Sequence, residues 1–358
     1  MGMAGDFIKK KLGLVGTADR LLLLCLAGAA AFIFIMHAVL VCGAGGSASG
    51  GFVLAGFPDS SGAAGATAGE KRGSFVGSDR GVAVLLFHAV EGEAAEKNTE
   101  GVNLSNKGSA EPFAGPASDS NGHVITAEEL ENTFFLLKTC GYHPVSLDEF
   151  HSFIEGKGEV PPKAVLITFD DGYADVYEKV LPLTQKYGFP AAVFAVSKWF
   201  DLYPRPEKSR RHLSCEEARR LLASGLWHIG GHGYEGHRLI AGSGGRLGPF
   251  YTTRAWLAGE GRLETDAEYR ARVWGDLVLE RAALARAGVQ EVRDFAFPYG
   301  AFNQELVLLL NEAGYTYLYT NEPGLNRPGQ DKSHICRITA SADSQKTLEE
   351  LERLFKPN

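Results

Sequence analysis

The chain has little sulfur and no excess of positive charge. Five cysteines and three methionines occur among 358 residues. Cys25 and Cys42 lie in or beside an apolar segment, and Cys140, Cys215 and Cys336 are far apart. No Cys-x-x-Cys pair is present, which removes the zinc knuckle from consideration, and the spacing suggests no disulfide framework. A single Cys140–Cys336 or Cys215–Cys336 bridge is the most it allows. Lys and Arg number 36 against 43 Asp and Glu, for a formal charge of −7. That balance weighs against nucleic acid as a partner, since such binding rests on neutralising phosphates. No internal repeat is visible. What remains, 45% hydrophobic and 22% charged, is globular composition with ample material for a core.

Charge is also missing locally. From Leu21 to Cys42 the only titratable side chains are His37 and the cysteines. About 20 apolar residues cross a bilayer as a helix. Lys9, Lys10, Lys11 and Arg20 precede the run, which favours a cytoplasmic N-terminus and export of the residues C-terminal to the run. The run exceeds the apolar region of a cleaved signal, so an uncleaved anchor is expected. Ser47-Ala48-Ser49 leaves room for cleavage, and Leu40 and Val41 make Cys42 a poor lipidation site. Residues 43–80 are rich in Gly, Ala and Ser, too poor in apolar surface to order themselves. The expected organisation is a basic cytoplasmic N-terminus over 1–20, a transmembrane signal-anchor over 21–42, a flexible linker over 43–80 and a folded, extracytoplasmic domain over 81–358.

Within 81–358, short apolar runs alternate with helical patterns. Strands are expected at 82–87, 143–145, 164–169, 191–196, 226–229, 294–297, 315–319 and 335–338. Thr126 with Glu129, Ser146 with Glu149, Ser214 with Glu217 and Thr265 with Glu268 are capping boxes that open helices. A helix over 174–187 must kink or split at Pro182. Residues 92–122 read as a polar loop. The alternation predicts a parallel α/β architecture, and about seven strand–helix units suit an irregular (β/α)7-type barrel better than an open sheet.

Chemistry concentrates where strands end. Thr168-Phe169-Asp170-Asp171-Gly172-Tyr173 follows the apolar run Ala164–Ile167, so two adjacent carboxylates emerge at a strand's C-terminal end, where α/β folds carry their sites. Leu226–Ile229 leads into Gly230-Gly231-His232-Gly233-Tyr234-Glu235-Gly236-His237. Five residues apart, His232 and His237 lie about 140° apart on a helix, at roughly 100° per residue, and on opposite faces of a strand. They converge only on a turn, for which the glycines give freedom. Two imidazoles and a carboxylate with open positions form the donor set of catalytic zinc, which other divalent metals tolerate. His123, His143, His151, His212 and His228 have no such context and are read as structural. Phe250, Tyr251 and Trp256 in the Gly-rich stretch 241–262 are read as anchors of a surface insertion in preference to sugar-stacking rings, and the Glu residues of the 266–286 helix as a solvated face.

These motifs resemble the polysaccharide deacetylases, the NodB-homology or family 4 carbohydrate esterases. Thr168–Tyr173 looks like the first family motif, His232–His237 like the second, and Phe297-Pro298-Tyr299-Gly300 like the third. Leu85-Leu86-Phe87-His88, with the stretch from Gly314-Tyr315 through Asn321–Asn326 to Arg337-Ile338, resembles the poly-β-1,6-N-acetylglucosamine N-deacetylase branch. The resemblance covers about residues 81–340. It implies that Asp171, His232 and His237 hold a divalent metal, zinc first with cobalt, nickel or iron as alternatives. It also implies that Asp170 is the general base, that the backbone N–H of Tyr299 is an oxyanion donor, and that His88, with His334 second, is the general acid. The implied substrate is an N-acetylglucosamine polysaccharide, poly-β-1,6-linked or alternatively of peptidoglycan or chitin type. Ala296 stands where many members carry the Arg that orients the catalytic Asp; Arg293 is the nearest substitute in sequence. Loss of that Arg is the best support for a rival class, a non-catalytic glycan-binding protein at the membrane. A glycosidase using Asp170 and Asp171 would leave the histidines unexplained.

Overall fold

The apolar runs form a curled, largely parallel sheet flanked by helices. A computed structural model describes residues 81–91, 124–200 and 210–356. The expected basic N-terminus, membrane span and linker, and the loop over 92–122, lie outside those residues. Among the described residues no helix is long and apolar enough to cross a membrane. The strands are β1 (Val82–Phe87), β2 (Ala89–Glu91), β3 (Val124–Thr126), β4 (His143–Pro144), β5 (Ala164–Phe169), β6 (Ala191–Ala195), β7 (Trp227–Gly231), β8 (Leu239–Ala241), β9 (Leu247–Pro249), β10 (Trp256–Leu257), β11 (Arg262–Leu263), β12 (Asp294–Ala296), β13 (Tyr317–Tyr319), β14 (Leu325–Asn326) and β15 (Ile338–Thr339). The helices are α1 (Ala127–Thr139), α2 (Leu147–Ile154), α3 (Leu181–Tyr187), α4 (Cys215–Ala223), α5 (Asp266–Arg286), α6 (Gln304–Glu312) and α7 (Ser344–Phe355).

All four sequence-level capping boxes form, at α1, α2, α4 and α5. The 174–187 segment splits at its proline: a π-type turn, Val176–Val180, precedes α3, and Pro182 falls in the first turn of α3. A proline is tolerated there because a first-turn N–H has no intrahelical partner.

The main sheet runs β13-β12-β7-β6-β5-β1, with β14 antiparallel and β15 parallel along the outer edge of β1. Its ends meet through a short seam. Ile335, just before β15, bridges Tyr319 of β13 in parallel, while Ile338 and Thr339 pair with Leu85 and Leu86. The expected barrel is therefore a curled parallel sheet joined by one bridge on the β13 side, not by a continuous ladder. Cys140, Cys215 and Cys336 are free thiols, so neither suggested disulfide forms.

Both faces of the sheet are buried, and strand alternation divides them. On β5, Val165, Ile167 and Phe169 join the layer shared with α1, α4, α5, α6 and α7. Ala164 and Leu166 join Val82, Val84, Phe194, Ala296, Tyr317 and Tyr319 inside the curl. That second series continues through Thr168 to Asp170, so alternation aims Asp170 into the interior. Helix α2 covers the opposite end of the curl, where His151 Nε2 meets the carboxylate of Asp294 at 2.7 Å and Tyr319 donates to the same oxygen.

Candidate metal centre

Asp170 ends the inward series of β5 and is 2% exposed. Its backbone N–H donates to the Phe87 carbonyl at 2.9 Å, so the register that pairs Phe87 with Phe169 sets His88 beside the acidic pair. The side chain of Asp170 meets a fully buried guanidinium. Arg337 donates to Oδ1 at 2.7 Å and Oδ2 at 2.8 Å, to the Thr320 carbonyl at 2.8 Å and to Asn321 Oδ1 at 2.9 Å. Burial alone would raise the Asp170 carboxyl; Arg337, then His232 and His88, bring it below the usual carboxylate range. A forked Arg on a carboxylate is among the strongest hydrogen-bonded pairs available to a protein.

This arrangement corrects the expectation for Arg293, which is exposed and reaches toward Glu291 at 3.4 Å. The guanidinium comes from the residue just before β15, at the seam, not from β12. Ala296 contributes its backbone carbonyl instead, which accepts from His232 Nδ1 at 2.8 Å. A carbonyl can only accept, so Nδ1 carries a proton, and in the neutral ring Nε2 presents its lone pair.

Asp171 breaks the strand. Its φ of +68° is rare for a non-glycine residue; residues held in such conformations cluster at functional sites. The turn carries the carboxylate to the rim, where Oδ1 lies 3.5 Å from His232 Nε2 and 3.3 Å from His237 Nε2. Asp171 Oδ1 is buried without a hydrogen-bond partner, an arrangement costly unless something else satisfies it. One ligand atom from each of these residues lies within 4.8 Å of the other two. Burial opposes ionisation of Asp171, but His237, His232 and His88 hold it well below the usual range. Burial lowers His237, whereas Asp170 and Asp171 outweigh burial at His232 and raise it. An orphaned carboxylate oxygen facing two imidazole nitrogens, one with its tautomer fixed, fits a divalent cation.

Tyr299 also has positive φ, +60°. Its ring lies 4.6 Å from that of His237 and is 48% exposed, so the third-motif loop borders the histidines at the surface. His334, the second candidate acid, is turned to Glu322 at 3.0 Å and packs edge-on against Phe302. The charge reaching both acids from the N-terminal side is that of His88.

Besides Arg337, two supporting residues escaped the sequence reading. Glu280 of α5 was expected on a solvated face and Asp276 was not singled out, but they are 0% and 7% exposed. They occupy the same buried stripe as Tyr269, Val273, Leu277 and Leu284, and that helical spacing was the available signal. Tyr251, 1% exposed, is an anchor, as is Phe250 at 3%, whereas Trp256 is 41% exposed.

Burial, and secondarily the Asp276 charge, pushes Glu280 up to about 8. The folded state thus holds a proton that the unfolded chain releases near the ordinary carboxylate value. Between those two values, stability should fall as pH rises. Chemical denaturation across that window should show the wild-type chain losing ground to Glu280→Gln as the solution becomes more alkaline. A pH-independent gap would contradict this.

An Asp–His–His cluster at the open end of a curled parallel α/β sheet, with Asp171 and His232 buried and His237 partly exposed, defines a candidate metallohydrolase. Residues 157–318 match the family model described as polysaccharide deacetylase. The chain is 31% identical over 224 residues to the poly-beta-1,6-N-acetyl-D-glucosamine N-deacetylase of Escherichia coli K12, covering 60% of this chain and 33% of that protein. The chain thus spans about a third of that relative's length. The enzyme of the same name from Staphylococcus epidermidis is 23% identical over 232 residues, covering 65% of this chain and 73% of the relative. Among solved structures, the deacetylase domain of BpsB from Bordetella bronchiseptica aligns with a TM-score of 0.58 at 28% identity, covering 72% of this chain and 95% of that one. A de-N-acetylase from Aggregatibacter actinomycetemcomitans aligns with a TM-score of 0.64 at 23% identity, covering 76% and 100%, and shares the fold.

Proposed function

We propose that this chain is a metal-dependent hydrolase that removes N-acetyl groups from N-acetylglucosamine residues of an extracytoplasmic polysaccharide, of the poly-β-1,6 type. The carrying observation is the orphaned Asp171 Oδ1 facing His232 Nε2 and His237 Nε2, with a second carboxylate, Asp170, kept ionised beside it. Asp171, His232 and His237 would hold the cation, zinc first. A divalent cation there supplies Lewis acidity and lowers the pKa of water toward about 7.

The chain's own groups divide the proton work. Asp170, anchored by Arg337 through both oxygens, takes the proton from the attacking water on a remaining lone pair. Arg337 fixes the direction of that lone pair and keeps the carboxylate ionised at neutral pH. The backbone N–H of Tyr299 donates to the oxyanion that develops on the acetyl oxygen, a contribution typically worth about 2.7–4 kcal/mol. His88 gives a proton to the departing amine nitrogen, because an unprotonated amine is a poor leaving group. Acetate and a free glucosamine amine result.

The β-1,6 linkage is favoured by the names of the curated relatives and by the strand ending in His88. Peptidoglycan and chitin-type chains are the alternative substrates. Membrane attachment through 21–42 with the domain outside is supported by the uncharged run and the cations before it. The non-catalytic alternative rested on the absent Arg at position 296; Arg337 meets Asp170 and takes that support away.

Acetate release by the full chain from β-1,6- and β-1,4-linked N-acetylglucosamine oligomers tests the reading. Faster release from the β-1,6 oligomers, abolished by a chelator and restored by zinc, is the expected result. Release that survives exhaustive chelation would exclude the metal-dependent mechanism, and preference for β-1,4 oligomers would move the substrate to the alternative.

A further inference from the structure

The histidine turn is braced from behind by groups with no assigned part in the chemistry. Three successive loop amides point at α5. Gly233 N–H donates to Glu280 Oε1 at 2.5 Å, Tyr234 N–H to Asp276 Oδ2 at 2.9 Å, and Glu235 N–H to Asp276 Oδ1 at 2.9 Å. Two tyrosines complete the set: Tyr251 donates to Asp276 Oδ2 and Tyr315 to Glu280 Oε2, each at 2.5 Å. Tyr251 also explains two of the glycines. A Cβ at Gly233 or Gly236 would overlap its ring or hydroxyl, and Gly233 has φ +89°. On the other side, the Gly233 carbonyl accepts from Ser197 N–H at 3.0 Å, and His232 N–H donates to the Ala195 carbonyl at 3.2 Å.

We propose that Asp276 and Glu280 are positioning residues that set the distance between His232 and His237 by gripping the backbone between them. The proposal rests on the metal-site reading above. Five residues separate the two imidazoles, and three of the four backbone N–H groups between them end on these two carboxyls. A free Gly-rich turn would sample many separations. Gripped in this way it keeps the one that faces both Nε2 atoms toward Asp171. The expense of burying two acids one helical turn apart then has a reason, since an uncommitted pair would repel and lose hydration.

The two acids differ in a way that a filler role would not produce. Glu280 receives one backbone N–H and one hydroxyl. A hydroxyl can rotate to accept, so Glu280→Gln can keep both hydrogen bonds. Asp276 receives backbone N–H groups on both oxygens, and a backbone N–H cannot reverse. Asp276→Asn must therefore set its NH2 against one of them. Both changes preserve side-chain shape, so packing alone predicts equal effects.

The test is amide hydrogen exchange and zinc titration on the metal-stripped full chain in detergent. In the wild-type chain, Tyr234 and Glu235 amides should exchange as slowly as those of β6 and β7 before any metal is added. In Asp276→Asn they should exchange at least about tenfold faster while β6 and β7 stay protected. Zinc affinity should fall about 10–100-fold, the usual cost of removing a support behind a metal ligand. Glu280→Gln should stay within about threefold of wild type in both measurements, on the same scale. Wild-type loop amides exchanging at open-loop rates would overturn the proposal even if Asp276→Asn fails to fold. So would equal damage in the two variants, or none in Asp276→Asn. If the wild-type chain takes up no metal, the functional reading fails, and the exchange measurement still decides whether the loop is gripped.

Discussion

Asp170→Asn is expected to keep the metal and lose turnover. The amide has no basic lone pair of comparable strength, so water would lack its proton acceptor. Removal of a positioned general base typically costs about 10²–10⁴ in rate. Asp171, His232 and His237 are untouched, so metal content, measured by mass spectrometry of the elements, should equal that of wild type. His232→Ala should differ in kind, losing ion and activity together. Acetate release near the wild-type rate from either variant would remove the assignment of roles.

Arg337→Met carries the second large effect. Arg337, just before β15, is fully buried and reaches Asp170, Thr320 and Asn321 with one guanidinium. Its loss strands a buried carboxylate, which by analogy with other broken buried pairs costs about 3–5 kcal/mol. It also frees Asp170 to rotate and lets burial raise its carboxyl, so activity at neutral pH should fall with stability. Asp170 is held below its unfolded value in the wild-type chain. Its stabilising contribution is therefore complete above the ordinary carboxylate range and disappears as pH falls through the depressed value. The wild-type advantage over Arg337→Met, read by denaturant titration, should be widest near neutrality and shrink on acidification. Arg337→Lys should rescue little, because an ammonium is a point donor and cannot span both oxygens and the Thr320 carbonyl. Equal stability of wild type and Arg337→Met at neutral pH would refute the pairing.

The contrast between Ala296 and Arg337 shows where sequence reading runs out. Asp170, Asp171, His232 and His237 were legible because the acids close the apolar run of β5 and the histidines sit on the glycine turn that follows β7, and strand alternation or that turn then dictates direction. The capping boxes were legible for the same reason, as their partners lie three residues apart. Arg337 reaches a residue 167 positions away across a seam closed by one bridge, and no local pattern encodes that approach. Searching near position 296 led to Arg293, close in sequence but turned outward. The curl of the sheet makes the residue before β15, not β12, the neighbour of Asp170. Asp276 and Glu280 failed differently. Acids on a helix are usually solvated, yet these two fall on the stripe that begins at Tyr269 and runs inward to Leu284. Period outweighed polarity, because loop amides needed acceptors.

The central claim is that one cation is held jointly by Asp171, His232 and His237. Zinc titration of the metal-stripped full chain, followed by elemental analysis of wild type, Asp171→Ala, His232→Ala and His237→Ala, tests it most directly. The account predicts one tightly held ion per wild-type chain and loss of that ion in each variant. A wild-type chain that retains none, or variants that retain it undiminished, would contradict it.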